Sequence, residues 1–157
     1  MEMYGRKIRQ TDFRLNTMIN EYGCYAVSNL GMVQTHTGVL LSIDQILDIY
    51  KTALKENMMT EDCILNSLGA GGGVANLGLR SLGYLNLNCS QVGTYTYKTN
   101  KTYFWGGKEY NHTVLLGATY NDNKHYREGN KEAEEIFDPR PTVKIKEEIM
   151  IIYYLIK

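Results

Sequence analysis

The sequence predicts an α+β fold: an N-terminal helical layer packed on a C-terminal antiparallel sheet. Three observations carry that expectation. The first half holds apolar stretches of helical spacing and one helix-start signature. The second half is rich in Tyr, Thr and Val, with Gly and Asn turns between short runs. A glycine run, Gly69-Ala70-Gly71-Gly72-Gly73, separates the two. Helices first and strands second is an α+β order, not an alternating βαβ one. At 157 residues, one domain over 1–157 is expected, large enough to hold a core without disulfides or metal.

The elements follow in order. Residues 8–21 are expected to be a helix, with Ile8, Phe13, Leu15, Met18 and Ile19 as an imperfect apolar stripe and Glu21-Tyr22-Gly23 as its end. From Cys24 to Val33 the chain is apolar on all sides, as in a buried helix. Thr35 to Gly38 reads as a turn. Ser42-Ile43-Asp44-Gln45 is a capping box opening a helix that carries Ile46, Leu47, Ile49, Tyr50 and Leu54 to about Glu56. A short helix is expected from Thr60, with Glu61 and Asp62 at its positive end. The glycine run reads as a flexible connector, or as a groove wall where backbone approaches an extended substrate.

In the second half, Tyr84 to Val92, Thr94 to Tyr97 and Thr102 to Trp105 have strand composition. Thr113 to Tyr120 reads as a buried strand. Asn121 to Glu135 carries 8 charges in 15 residues and is expected to be an exposed, mobile loop or hairpin tip. Thr142 to Leu155 reads as one long strand or a strand pair. The aromatic run Tyr95, Tyr97, Tyr103, Phe104, Trp105 and Tyr110 suits stacking on sugars or peptide side chains, and equally cross-strand packing.

Composition excludes several classes. Lys+Arg and Asp+Glu are both 17, so the basic excess of a phosphate-neutralising nucleic-acid binder is missing. No run reaches the ~20 apolar residues of a membrane span, and Met1 to Lys7 has no apolar signal core. No nucleic-acid or membrane partner is therefore expected, and the expected compartment is cytoplasmic. Nothing in the sequence specifies an oligomeric state. Three cysteines, Cys24, Cys63 and Cys89, exclude a complete disulfide framework by parity. Cys63, Cys89, His36 and His125 lack the paired close spacing of a zinc site. The glycine run has no Gly-Lys-Ser/Thr, and Val74 stands where a dinucleotide fingerprint needs its third Gly. No cofactor or metal is expected.

The remaining chemistry is distributed. Cys24 follows Gly23 and opens the buried helix, where a helix N-terminus favours a thiolate. His112 starts the strand before Val114, 88 residues on, and Asp138 precedes Pro139. A thiolate nucleophile needs an imidazole to activate it and a third group to orient that imidazole. Taken singly, Cys24 also reads as a small buried hydrophobe, His112 as a half-exposed strand residue, and Asp138-Pro139 as an ordinary turn.

Gly23-Cys24-Tyr25-Ala26, His112 before Val114-Leu115-Leu116-Gly117, and Phe137-Asp138-Pro139 together resemble the papain-like cysteine peptidases, in particular their short bacterial C39-like branch. The Arg9-Gln10 and Tyr22-Gly23-Cys24-Tyr25 stretches are also similar to ones in phage- and plasmid-borne proteins. The resemblance implies a papain-like fold and a cysteine peptidase or amide hydrolase acting on a peptide or protein substrate. It implies Cys24 as nucleophile, His112 as base and acid, and Asp138 as orienting carboxylate. A wall-cleaving amidase is one variant of that reading. The family places a Gln a few residues before its nucleophile as an oxyanion donor. Here Met18 is six before Cys24, Asn16 eight before and Gln10 fourteen before, so Gln10 and Asn16 are the candidates. That spacing, the Tyr after Cys24 and the 26 residues between His112 and Asp138 depart from the family. They leave open a catalytically inactive papain-like module that binds or inhibits.

Overall fold

A computed structural model describes residues 6–157. The helices are α1 (Thr17–Tyr22), α2 (Cys24–Thr37), α3 (Ile43–Lys55) and α4 (Val74–Ser81). The strands are β1 (Cys89–Thr96), β2 (Lys101–Phe104), β3 (His112–Thr119), β4 (Lys124–Gly129), β5 (Glu135–Phe137) and β6 (Ile145–Ile156). All pair antiparallel in one sheet of order β2-β1-β6-β3-β4-β5, so the expected α+β class is present. The C-terminal segment is one long strand and sits between β1 and β3. Among the described residues, no helix is long and apolar enough to cross a membrane.

α2 is the central helix. Val27 to Gln34 are all buried, as its apolar circumference requires. Val27 and Leu30 pack with Ile46, Ile49 and Ala53 of α3. Met32 and Val33 pack with Leu79 of α4, Val114 of β3 and Ile152 and Tyr154 of β6. Its buried Gln34 is satisfied at both ends: Nε2 donates to the Leu30 carbonyl at 3.0 Å and Oε1 accepts from the Leu41 amide at 2.9 Å. The expected turn at Thr35 falls inside the helix, which runs to Thr37 and ends on Gly38 at φ 71°. The Ser42–Gln45 capping box forms with both of its hydrogen bonds.

Several expectations need correction. Residues 8–21 are not one helix. Asn16 caps α1 by accepting from the Ile19 amide, and the Asn20 side chain holds the Gln10 and Asp12 carbonyls. Such side-chain to backbone bonds compete with helix and leave residues 8–16 irregular, with Phe13 out in solvent. The helix expected at Thr60 is a turn closed by the Thr60 amide on the Ile64 carbonyl. Tyr84 to Asn88 precede the sheet, which begins at Cys89. The glycine run is no slack connector. Gly69–Gly73 forms a wide helical turn running directly into α4.

The largest difference is at 121–135. Its two turns are exposed, together with Lys124 at the start of β4 and Glu135 at the start of β5. Its centre is β4, where His125, Arg127 and Glu128 are buried. Arg127 pairs with Glu148 and Glu135, and Lys7 Nζ lies 2.6 Å from Glu128 Oε1. Paired charges can be buried where single ones cannot.

Candidate active site

Cys24 is the first residue of α2, and its neighbour Tyr25 is fixed from two sides. The Tyr25 ring lies flat on Tyr126 of β4, with centroids 3.9 Å apart. Tyr154 donates its hydroxyl proton to the Ala70 carbonyl at 2.7 Å. The 2.8 Å contact between Tyr25 and Tyr154 hydroxyls is then donated by Tyr25. Burial raises both tyrosines' pKa values, which keeps this chain of hydroxyls neutral. With Tyr25 stacked on Tyr126, the two preceding residues, Cys24 and His125, are brought together.

His125 Nε2 is 2.6 Å from Asp138 Oδ1. The same imidazole is in hydrogen-bonding contact with Cys24, and Nδ1 is the nitrogen left to serve the thiol. Burial works against the imidazolium, but the hydrogen bonds to Asp138 and Cys24, and their negative charge, outweigh it and raise His125 to about 9. Asp138 sits just past β5, beside the strand that carries His125. Its Oδ1 also accepts from the Arg140 amide at 2.9 Å, and its carbonyl accepts from Arg9 Nε at 3.3 Å. The carboxylate is therefore held by its own turn, and the backbone that carries it is tied to the N-terminal segment.

His112 takes no part. It stands at the far end of β3, where the register pairs Thr113 with Gly129 and Gly117 with His125. Five residues of strand from His112 to Gly117 span roughly 17 Å. Its partner is His36 near the C-terminal end of α2, with Nε2 and Nδ1 3.0 Å apart. Twelve residues of helix put that pair roughly 18 Å from Cys24. Burial, the His36 ring and the Lys7 charge lower His112 to about 4. The base and acid expected at position 112 is in the wrong place for Cys24, and His125 occupies the place it was assigned.

The two oxyanion candidates separate. Asn16 caps α1 through Oδ1 and is not among the residues lining the groove that holds Cys24. Gln10 lines the same groove as Cys24, 1% exposed. Its Nε2 donates to the Asn20 carbonyl at 3.2 Å, while Asn20 Nδ2 donates back to the Gln10 carbonyl at 2.5 Å. One amide hydrogen of Gln10 remains, and Oε1 has no partner. The Cys24 amide is among those that a helix start leaves without an intrahelical acceptor.

The groove is about 1000 Å³. Cys24, Gln10, Tyr25, His125 and Tyr126 all line it. Cys24 is partly exposed, whereas Cys63 and Cys89 are buried and pushed up to about 12, chiefly by burial. Among the described residues, no group of three or more His, Cys, Asp or Glu is placed to hold a metal ion. In comparison with known proteins, the chain matches no protein-family model, no curated protein and no solved structure.

Proposed function

We propose that this protein is a papain-like thiol hydrolase of peptide or amide bonds, with Cys24 as nucleophile, His125 as base and acid, and Asp138 as orienting carboxylate. The observation that carries the reading is the His125–Asp138 pair, 2.6 Å apart, with Cys24 at the head of the central helix in contact with the same imidazole. The papain-like arrangement belongs to the proposal: nucleophile at the start of the central helix, histidine on a strand of the facing sheet, and acid just past the end of the adjoining strand.

The chemistry follows from the placements. The Cys24 sulfur attacks the carbonyl carbon, and the carbonyl oxygen gains the negative charge. The Cys24 amide and the remaining hydrogen of the Gln10 amide are the donors near that oxygen. His125 protonates the departing amine, which leaves an acyl group on sulfur. His125 then takes a proton from water, whose oxygen attacks the thioester and releases the acid and the thiol. Asp138 keeps Nε2 as a donor throughout, so Nδ1 faces the sulfur.

The test is cleavage of a complex peptide mixture, read as new N-termini by mass spectrometry. Cleavage by the wild type that is lost in Cys24→Ala and His125→Ala, and kept in His112→Ala, is expected. A wild type that cleaves nothing overturns the hydrolase reading and favours a binding or inhibitory module. The family's missing glutamine spacing is the observation on that side.

A further inference from the structure

The groove carries opposite charge on its two banks. Glu21 and Asp62 come from α1 and from the turn after α3, both in the helical layer. Lys124 begins β4, and Arg140 and Lys144 lie between β5 and β6, so all three cations come from the sheet. Among the described residues, none of these five has an ion-pair partner. The buried charges Glu128 and Arg127, by contrast, are paired, with Lys7 and Glu148. Cys24 and His125 line the same groove.

We infer that the groove selects an extended peptide whose side chains alternate in charge, with acidic residues toward Lys124, Arg140 and Lys144 and basic residues toward Glu21 and Asp62. The inference rests on reading the groove as the substrate cleft. In an extended chain, successive side chains point to opposite sides. A peptide lying along the groove therefore presents alternate residues to each bank. A globally acidic or basic peptide matches one bank and is repelled by the other. Complementarity of this kind sets register and rejects wrong sequences more than it adds raw affinity. It also does not require net charge, which fits a chain with 17 residues of each sign.

Two dye-labelled peptides of identical composition test it, one alternating Glu and Lys, the other carrying them in blocks of two. Binding is read by fluorescence anisotropy on Cys24→Ala, so turnover is not needed. The alternating peptide is expected to bind roughly tenfold tighter. That preference is expected to vanish in Lys124→Glu/Lys144→Glu and in Glu21→Lys, all at exposed positions. Equal binding of both peptides, binding of neither, or a preference that survives reversal of either bank overturns the inference. Failure of the hydrolase reading shows separately: the alternating peptide is then bound by Cys24→Ala but left intact by the wild type.

Discussion

Burial disfavours both imidazolium ions, His112 and His125, and their neighbours decide the outcome. At His125, Asp138 and Cys24 prevail and raise it to about 9; at His112, burial, His36 and Lys7 act together and lower it to about 4. The two have opposite consequences for stability. Unfolded histidine titrates near 6.5, so below that pH the unfolded chain takes up a proton that buried His112 refuses. The stability linked to His112 is present above pH ~6.5 and is lost as pH falls toward 4, on the order of 3 kcal/mol. In urea titrations between pH 7 and 4.5, His112→Phe is expected to flatten the acid loss seen in the wild type. A variant that follows the wild type denies the neutral buried state. For His125 the folded value lies above the unfolded one. Its contribution is complete below pH ~6.5 and is lost as pH rises through about 9. Asp138→Asn removes the stronger of the two interactions that favour that cation, so its stability should change less than the wild type's between pH 7 and 10.

At the scale of elements, β4 and the glycine turn are the two that composition concealed. β4 lies in a stretch where 8 of 15 residues are charged, and such composition ordinarily means solvent. The charges are instead matched by residues remote in sequence, Lys7 and Glu148. A hairpin signal was present all the same. Tyr120-Asn121-Asp122-Asn123 follows a buried strand, and Asp122 adopts φ 59°, the conformation such a turn needs. Read as a hairpin turn, it requires a partner strand and places His125 on it. His112 carries the more conspicuous local signal, because an apolar strand follows it. The central helix, the capping box and β3 were legible because their signals are local. Cys24 and Asp138 were legible as chemistry, because each stands at the end of an element.

The glycine turn is rigid for a reason of space. Gly72 has φ 137°, and a Cβ there would collide with the Cys89 carbonyl where β1 begins. Its neighbour Ala70 accepts the Tyr154 hydroxyl, so the turn is tied to β6 as well. Gly72→Ala is expected to cost about 2–4 kcal/mol, from strain and from displacement of β1. Gly71, with open space around its Cα, provides the control: Gly71→Ala should be near neutral or slightly stabilising in the same denaturation series.

Across the whole molecule, the N-terminal segment works as a strap over the junction of helices and sheet. Lys7 reaches Glu128 of β4 and Thr35 of α2, Arg9 reaches the Asp138 carbonyl, and Gln10 is locked to Asn20 beside the groove. Glu128 is fully buried, and burial raises its pKa against the pull of Lys7. Lys7→Met leaves that carboxylate without its counter-charge, at an expected cost of about 3–5 kcal/mol in urea unfolding. Lys7→Met/Glu128→Gln should recover a large part of the loss, because the amide need not be charged. If the single variant is as stable as the wild type, the strap does not hold the fold. Sequence alone gives little access to this level: Lys7 and Glu128 are 121 residues apart, and no local pattern joins them.

The central claim is that His125, not His112, activates Cys24, and the rate of Cys24 alkylation by iodoacetamide near pH 7 tests it most directly. With His125 raised to about 9, its ring is cationic at that pH and lies against the sulfur. Site-resolved mass spectrometry should show Cys24 labelled far faster than buried Cys63 and Cys89. His125→Ala is expected to slow the labelling of Cys24 about tenfold or more, and His112→Ala to leave it unchanged. If Cys24 labels at the same rate in His125→Ala as in the wild type, or if His112→Ala is the variant that slows it, the account is contradicted.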